Sequence, residues 1–99
     1  MAKPYGTVMI GRLVVPFEQL LASQESWRAR NVPGFISESA LLADDGKTVV
    51  MTVVFDSKES YDKLADDPAQ NTWWETVARP MLEEDPQWID GSWGVLSGQ

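Results

Sequence analysis

Neither cysteine nor histidine occurs anywhere in the 99 residues. The first absence removes disulfides, thiolate nucleophiles and Cys-ligated metals. The second removes Ser-His-Asp and Cys-His catalysis, imidazole general bases and the usual zinc and haem ligands. Basic side chains are also few, eight Lys and Arg against fifteen Asp and Glu, for a formal charge of −7. Such a surface repels phosphate backbones and anionic lipid, so no nucleic acid and no membrane is expected as a partner; its plainest consequence is solubility. No apolar run approaches the ~20 residues of a membrane-spanning helix. The opening M-A-K-P-Y-G lacks the apolar core of a signal peptide, and a cytoplasmic location is the expectation.

What is present is an ordinary globular composition, 43% hydrophobic and 23% charged. A chain this short has room for one core, so residues 1–99 are read as a single domain. It buries roughly two-thirds of its unfolded surface, and a partner subunit would add to that. The organising stretch is T-V-V-M-T-V-V-F, Thr48 to Phe55, β-branched or bulky almost throughout. Alternation sends Val49, Met51, Val53 and Phe55 to one side and Thr48, Val50, Thr52 and Val54 to the other. Both sides are largely apolar, so both need cover.

Around that strand the chain reads in order. Gly6 to Val15 is a first strand, with Met9, Gly11 and Leu13 on one face and Ile10, Arg12 and Val14 on the other. Arg12 would pair with a carboxylate on a neighbouring strand, Glu38 being the nearest candidate. Pro16 opens a helix in which Phe17, Leu20, Leu21, Gln24, Trp27 and Arg28 keep helical spacing to about Arg30. Asn31-Val32-Pro33-Gly34 breaks it, Phe35 to Ala43 is a second strand, and Asp44-Asp45-Gly46-Lys47 turns the chain into Thr48. Asp56 can cap a further helix, with Glu59 reaching back. That helix stops at Asp66-Asp67-Pro68 and restarts with Asp67 as N-cap, Pro68 first and Gln70 at the capping-box position. Trp73, Trp74, Val77, Ala78, Met81 and Leu82 make its apolar stripe, bent or shortened by Pro80. Gln87 to Leu96 is the last strand, with Ile89, Gly91, Trp93 and Val95 on one face.

The order is βαββαβ. It predicts an α+β, ferredoxin-like domain: a four-stranded antiparallel sheet with its helices on one face. The other face carries Ile10, Val14, Val50 and Val54, too apolar to leave wet. A second copy packed sheet to sheet would cover it, giving a homodimer.

Three stretches carry a resemblance. V-P-G-F at Val32 to Phe35, F-D-S-K-E-S-Y at Phe55 to Tyr61, and W-W-E-T-V-A-R-P-M-L at Trp73 to Leu82 together resemble the antibiotic biosynthesis monooxygenase-like proteins, from about Thr7 to Leu96. The resemblance implies pairing as a dimeric α/β barrel and a cavity in each subunit between sheet and helices. Its floor would be Met9, Gly11, Leu13, Met51, Val53 and Phe55, and its roof Leu20, Trp27, Tyr61, Trp73, Trp74 and Val77. Haem-degrading members place asparagine where Gly11 stands and histidine near Trp73 or Trp74, neither of which is reproduced. Quinone-forming members place asparagine and tryptophan where Met51 and Phe55 stand, and a tyrosine matched here by Tyr61.

The implied activity is a cofactor-independent monooxygenation of a flat aromatic, polyketide-like molecule, with no cofactor and no metal. The alternative is a non-catalytic dimeric module that binds a small hydrophobic metabolite or fills its own cavity. Hydrogen-bond donors in a dry cavity would steer such a reaction, and Tyr61, Trp74, Asn71 and Arg79 are the catalytic candidates. Met9, Leu13, Leu20, Trp27, Met51, Phe55 and Trp73 are the substrate-binding candidates. Each has a structural alternative: Tyr61 at a helix boundary, either tryptophan as core, Asn71 in solvent, Arg79 paired with Glu75 four residues before it, and the methionines as core filler.

Overall fold

The computed structural model describes residues 3–96. Four strands, β1 (Tyr5–Arg12), β2 (Phe35–Leu42), β3 (Thr48–Phe55) and β4 (Gln87–Ser92), form one antiparallel sheet in the order β2-β3-β1-β4. Helices α1 (Phe17–Arg28), α2 (Lys58–Ala65) and α3 (Pro68–Trp73) lie on one face. This is the expected ferredoxin-like arrangement, with β3 paired on both edges as its two-sided composition requires.

Register fixes the faces, because residues directly opposite in a ladder share one. Tyr5, Phe55 and Phe35 lie in one row, followed by Thr7, Val53 and Glu38, and then by Met9, Met51 and Ala40. On β4, Ser92, Asp90 and Trp88 continue these three rows. These residues face the helices, as does Val49 in the next row between Gly11 and Leu42, and Phe55 and Val49 are fully buried. The opposite face carries the row Ile10, Val50, Leu41, then Val8, Thr52, Ser39, with Ile89 beside Val8. Leu41 is 62% exposed there and Ile89 51%, whereas Val54 is 4% exposed, beside Gly6. A Cβ at Gly6 would fall 1.8 Å from the Val53 carbonyl oxygen and 2.9 Å from the Trp93 indole nitrogen. Glycine is the residue that lets Trp93 donate across β1 to that carbonyl, at 3.3 Å.

Several boundaries differ from expectation, each for a visible reason. β1 ends at Arg12 rather than Val15, because the chain after Pro80 comes alongside: Leu13 bridges Leu82, the Val14 N–H donates to the Met81 carbonyl, and the Glu83 N–H donates to the Arg12 carbonyl. The long last helix is three pieces. α3 passes into a wider π-type turn, Trp74–Ala78, and then a 3-10 turn, Arg79–Met81. Pro80 has no N–H to give and its ring crowds the preceding turn, so a regular helix cannot pass through it. β4 stops at Ser92, leaving Val95 78% exposed beyond it.

The cap of α2 is Ser57, whose hydroxyl accepts from the Ser60 N–H at 3.1 Å, not Asp56. Asp56 is held one residue back, its N–H donating to the Gly34 carbonyl. Asp67 does cap α3, accepting from the Ala69 N–H at 2.9 Å. Arg12 reaches Glu83 and Asp45 rather than Glu38, because Glu38 sits on the helix side of the sheet and Arg12 on the other. Asp45 accepts from the Thr48 hydroxyl and from the N–H groups of Thr48 and Lys47. With the Arg12 charge, these hold its carboxyl at a pKa of about 2.

Candidate functional site

Between the helix-facing side of the sheet and the helices lies a cavity of about 140 Å³. Its floor is Thr7, Met9, Met51, Val53 and Trp88; its walls are Leu20, Gln24 and Trp27 from α1, Tyr61 and Leu64 from α2, and Gln70, Trp73, Trp74 and Ala78 beyond. Four indoles in so small a volume make the lining chiefly aromatic. The Trp74 and Trp88 rings meet at 5.1 Å between centroids, and Trp27 packs edge-on to Phe35 at 5.1 Å, which in turn meets Phe55 at 5.9 Å.

Three polar links hold this lining. The Trp27 indole N–H donates to Gln70 Oε1 at 2.9 Å, tying α1 to α3, and the Arg30 guanidinium donates to the same oxygen at 3.1 Å. Arg28 Nη1 donates to Glu38 Oε1 at 2.6 Å, tying α1 to the edge strand β2. The Tyr61 hydroxyl donates to Asp90 Oδ1 at 3.2 Å, tying α2 to the other edge. Burial pushes the Tyr61 pKa up to about 12, and the Asp90 charge adds to the effect. At neutral pH Tyr61 is therefore a donor and not a base. Next to the cavity, on the β2 side of α1, a groove of about 250 Å³ shares Gln24, Glu38 and Met51 with it.

Of the residues singled out from sequence, Tyr61, Trp74, Met9, Leu20, Trp27, Met51 and Trp73 line the cavity. Four do not. Asn71 is exposed on α3. Arg79 points away, donating from Nε to Asp85 at 2.7 Å and from Nη1 to the Leu82 carbonyl, on the side of its helix away from the Trp73–Leu82 stripe; Glu75 is not its partner. Leu13 sits past the end of β1 against Leu82 in the core, and Phe55 is sealed beneath Phe35 and Tyr61. Val77, expected in the roof, is 39% exposed. Glu38, Gln24, Gln70 and Trp88 line the cavity as well, although none is among the residues expected there. The signal for Glu38 and Trp88 was strand alternation, which sets both on the helix side. Gln24 and Gln70 follow from helical spacing, one turn before Trp27 and at the start of α3. No group of three or more carboxylates, histidines or cysteines is placed to hold a metal ion among the described residues.

A four-stranded sheet with a helical layer and an aromatic cavity between them defines a ferredoxin-like α+β protein. No family model and no curated protein matches the sequence. Solved structures do. A monooxygenase from the gene ActVA-Orf6 of Streptomyces coelicolor, in complex with the ligand nanaomycin D, is 22% identical, with 98% of this chain and 94% of that chain covered and a TM-score of 0.73. SnoaB, a cofactor-independent oxygenase from Streptomyces nogalater, is 14% identical, covering 98% and 97%, with a TM-score of 0.70. A dimeric ferredoxin-like protein of unknown function from Thermobifida fusca is 13% identical, covering 94% and 93%, with a TM-score of 0.67. The chain has the fold of the antibiotic biosynthesis monooxygenase-like proteins.

Proposed function

We propose that this protein is a cofactor-independent monooxygenase acting on a flat aromatic small molecule in the cavity, and that it works as a homodimer. The observation that carries the reading is an aromatic-lined cavity, placed between sheet and helices in the fold shared with two proteins described as oxygenases. The reaction asks little of the protein. An electron-rich anthrone or phenol loses a proton, its anion passes an electron to O₂, and recombination followed by loss of water leaves a quinone: one oxygen atom enters the substrate, the other leaves as water. Indole faces hold the ring by stacking, and donors steady the anion. Trp74 and Tyr61 are the candidate catalytic donors. Asn71 and Arg79 take no part in this reading.

The test is oxygen uptake with 1,8-dihydroxyanthrone. The parent should consume O₂ above the rate without protein, and Tyr61→Phe should lower kcat by ~10-fold or more, the usual size of a positioned donor's effect. No uptake above background would refute the enzyme reading.

The cavity's size favours a second reading, a non-catalytic module for a smaller ligand. A cavity of ~150 Å³ takes a single benzene ring and drug-sized sites start at ~300 Å³, so a tricyclic substrate requires indoles to move. Trp88, 47% exposed on the edge strand β4, is the one with room to do so.

A further inference from the structure

The cavity has one polar end. Gln24 on α1 and Glu38 on β2 line both the cavity and the adjoining groove, and so stand at the threshold between them. Gln24 is 9% exposed and the Glu38 side chain 8%. Polar groups covered to that degree are costly unless bonded. Arg28 satisfies Glu38 Oε1. The second carboxylate oxygen, Oε2, and the whole Gln24 amide form no hydrogen bond among the described residues, yet every side-chain nitrogen or oxygen sealed from solvent there is bonded. The unused valences therefore look onto open space, which is the cavity and its groove.

We propose that Gln24 and Glu38 are the specificity-determining pair of this site, and that they recognise a hydroxyl group on a flat, uncharged aromatic ligand. The chemistry of the pair selects the group. A carboxylate accepts only, so a ligand offering an ether or carbonyl oxygen leaves Oε2 desolvated and unpaired, while a hydroxyl donates to it and accepts from the Gln24 amide. Arg28 already balances the Glu38 charge, so a cation has no unpaired carboxylate to find. An anion would meet Glu38 with no free guanidinium or ammonium in the cavity lining. Arg28 is a positioning residue: 47% exposed itself, it holds the carboxylate from the solvent side. The proposal rests on the cavity's being a small-molecule site and is independent of any reaction with oxygen.

The test compares 1-naphthol, one ring for the cavity and the other for the adjoining groove, with 1-methoxynaphthalene, which keeps the rings and the oxygen but loses the donor. Dissociation constants come from ligand-detected NMR on the full chain at neutral pH. The parent should bind 1-naphthol ~10-fold or more tightly than the ether, the size expected when a buried charged acceptor is left unmade. Glu38→Leu should abolish that preference and Gln24→Leu should reduce it, with binding of the ether kept. Glu38→Gln, which keeps shape and so guards against misfolding, should weaken the preference without loss of structure by circular dichroism. Arg28→Met should raise the Kd for 1-naphthol alone, with Arg28→Lys restoring it. Equal affinity of the parent for both probes, a preference that survives Glu38→Leu and Glu38→Gln, or no binding of either probe overturns the proposal. Selective binding without oxygen uptake from 1,8-dihydroxyanthrone refutes only the enzyme reading.

Discussion

Replacing Gln70 by Leu tests whether the roof of the cavity is tied together as described. Trp27 is 5% exposed, and among the described residues its indole N–H has one partner, Gln70 Oε1 at 2.9 Å. Leucine fills similar space but removes the acceptor, leaving a covered donor unpaired at a cost of ~1–3 kcal/mol. The Arg30 contact to the same oxygen is exposed, and its loss adds well under ~1 kcal/mol. The extra apolar surface of leucine, at a half-buried position, offsets part of this. A water drawn from the cavity would move the cost toward the low end. The net expectation is a loss of about 2 kcal/mol, or roughly 8–16 °C in Tm for a domain of this size. The measurement is urea unfolding at one fixed protein concentration, since any self-association shifts the midpoint. Gln70→Glu is the control: it keeps an acceptor at the same reach and should stay near the parent. In a Trp27→Phe background, where no donor remains, Gln70→Leu should cost almost nothing. A Gln70→Leu protein within ~0.5 kcal/mol of the parent, or equal losses in both backgrounds, would refute the assigned link.

Three further outcomes are expected. Because the folded Tyr61 pKa is raised to about 12, its contribution to stability is intact below the ordinary tyrosine value near ~10 and is lost as pH rises between the two; Tyr61→Phe should remove that alkaline decline, worth ~1 kcal/mol for a half-exposed ring, and parallel curves for the two proteins would disprove the shift. Gly34 has φ 83°, and a Cβ there would fall 2.5 Å from the Ser60 side chain, so Gly34→Ala should cost ~2–4 kcal/mol in thermal unfolding; an unchanged midpoint would show the turn to be free to shift. Val50 stands between Ile10 and Leu41 on the helix-free face, and sedimentation should find the parent at twice the mass of one chain and Val50→Glu at the mass of one. A parent that sediments as a folded single chain at micromolar concentration rules out the dimer.

The fold was legible because its signals are local and redundant. Thr48 to Phe55 could be little else than a central strand, and Asp67-Pro68 states a helix start in two residues. β2 was equally legible as a strand, yet its one inward charge was misassigned: Glu38 was matched to Arg12 as a neighbour in the sheet. Pairing across a sheet requires a shared face, and strand parity, once applied to both residues, separates them and leaves Glu38 to Arg28 on the helix above. The cavity's polar end was thus present in the alternation, although its partner lay on another element that no local pattern identifies.

Arg79 shows the opposite limit. Regular helical spacing gives it Glu75 as a neighbour one turn back and sets it about 240° around the helix from Trp73, off the apolar stripe. The wide turn Trp74–Ala78 breaks that spacing before Arg79 is reached, and the tight turn Arg79–Met81 then faces it toward Asp85 and the Leu82 carbonyl. Pro80 announces that the helix must yield but not where, since the strain it causes can be relieved on either side of it. Here relief comes upstream. The same break lays Leu82 against Leu13 and closes the far end of the core, so Pro80 also accounts for β1 ending three residues early. An unbroken helix and the broken one both bring Ala78, Met81 and Leu82 to the core; the break shows at Val77, which the same stripe would cover and which is 39% exposed. After Trp74 this segment lines the cavity only with Ala78 and Leu82, which carry no side-chain donor, so the donors it offers for catalysis stop at Trp74.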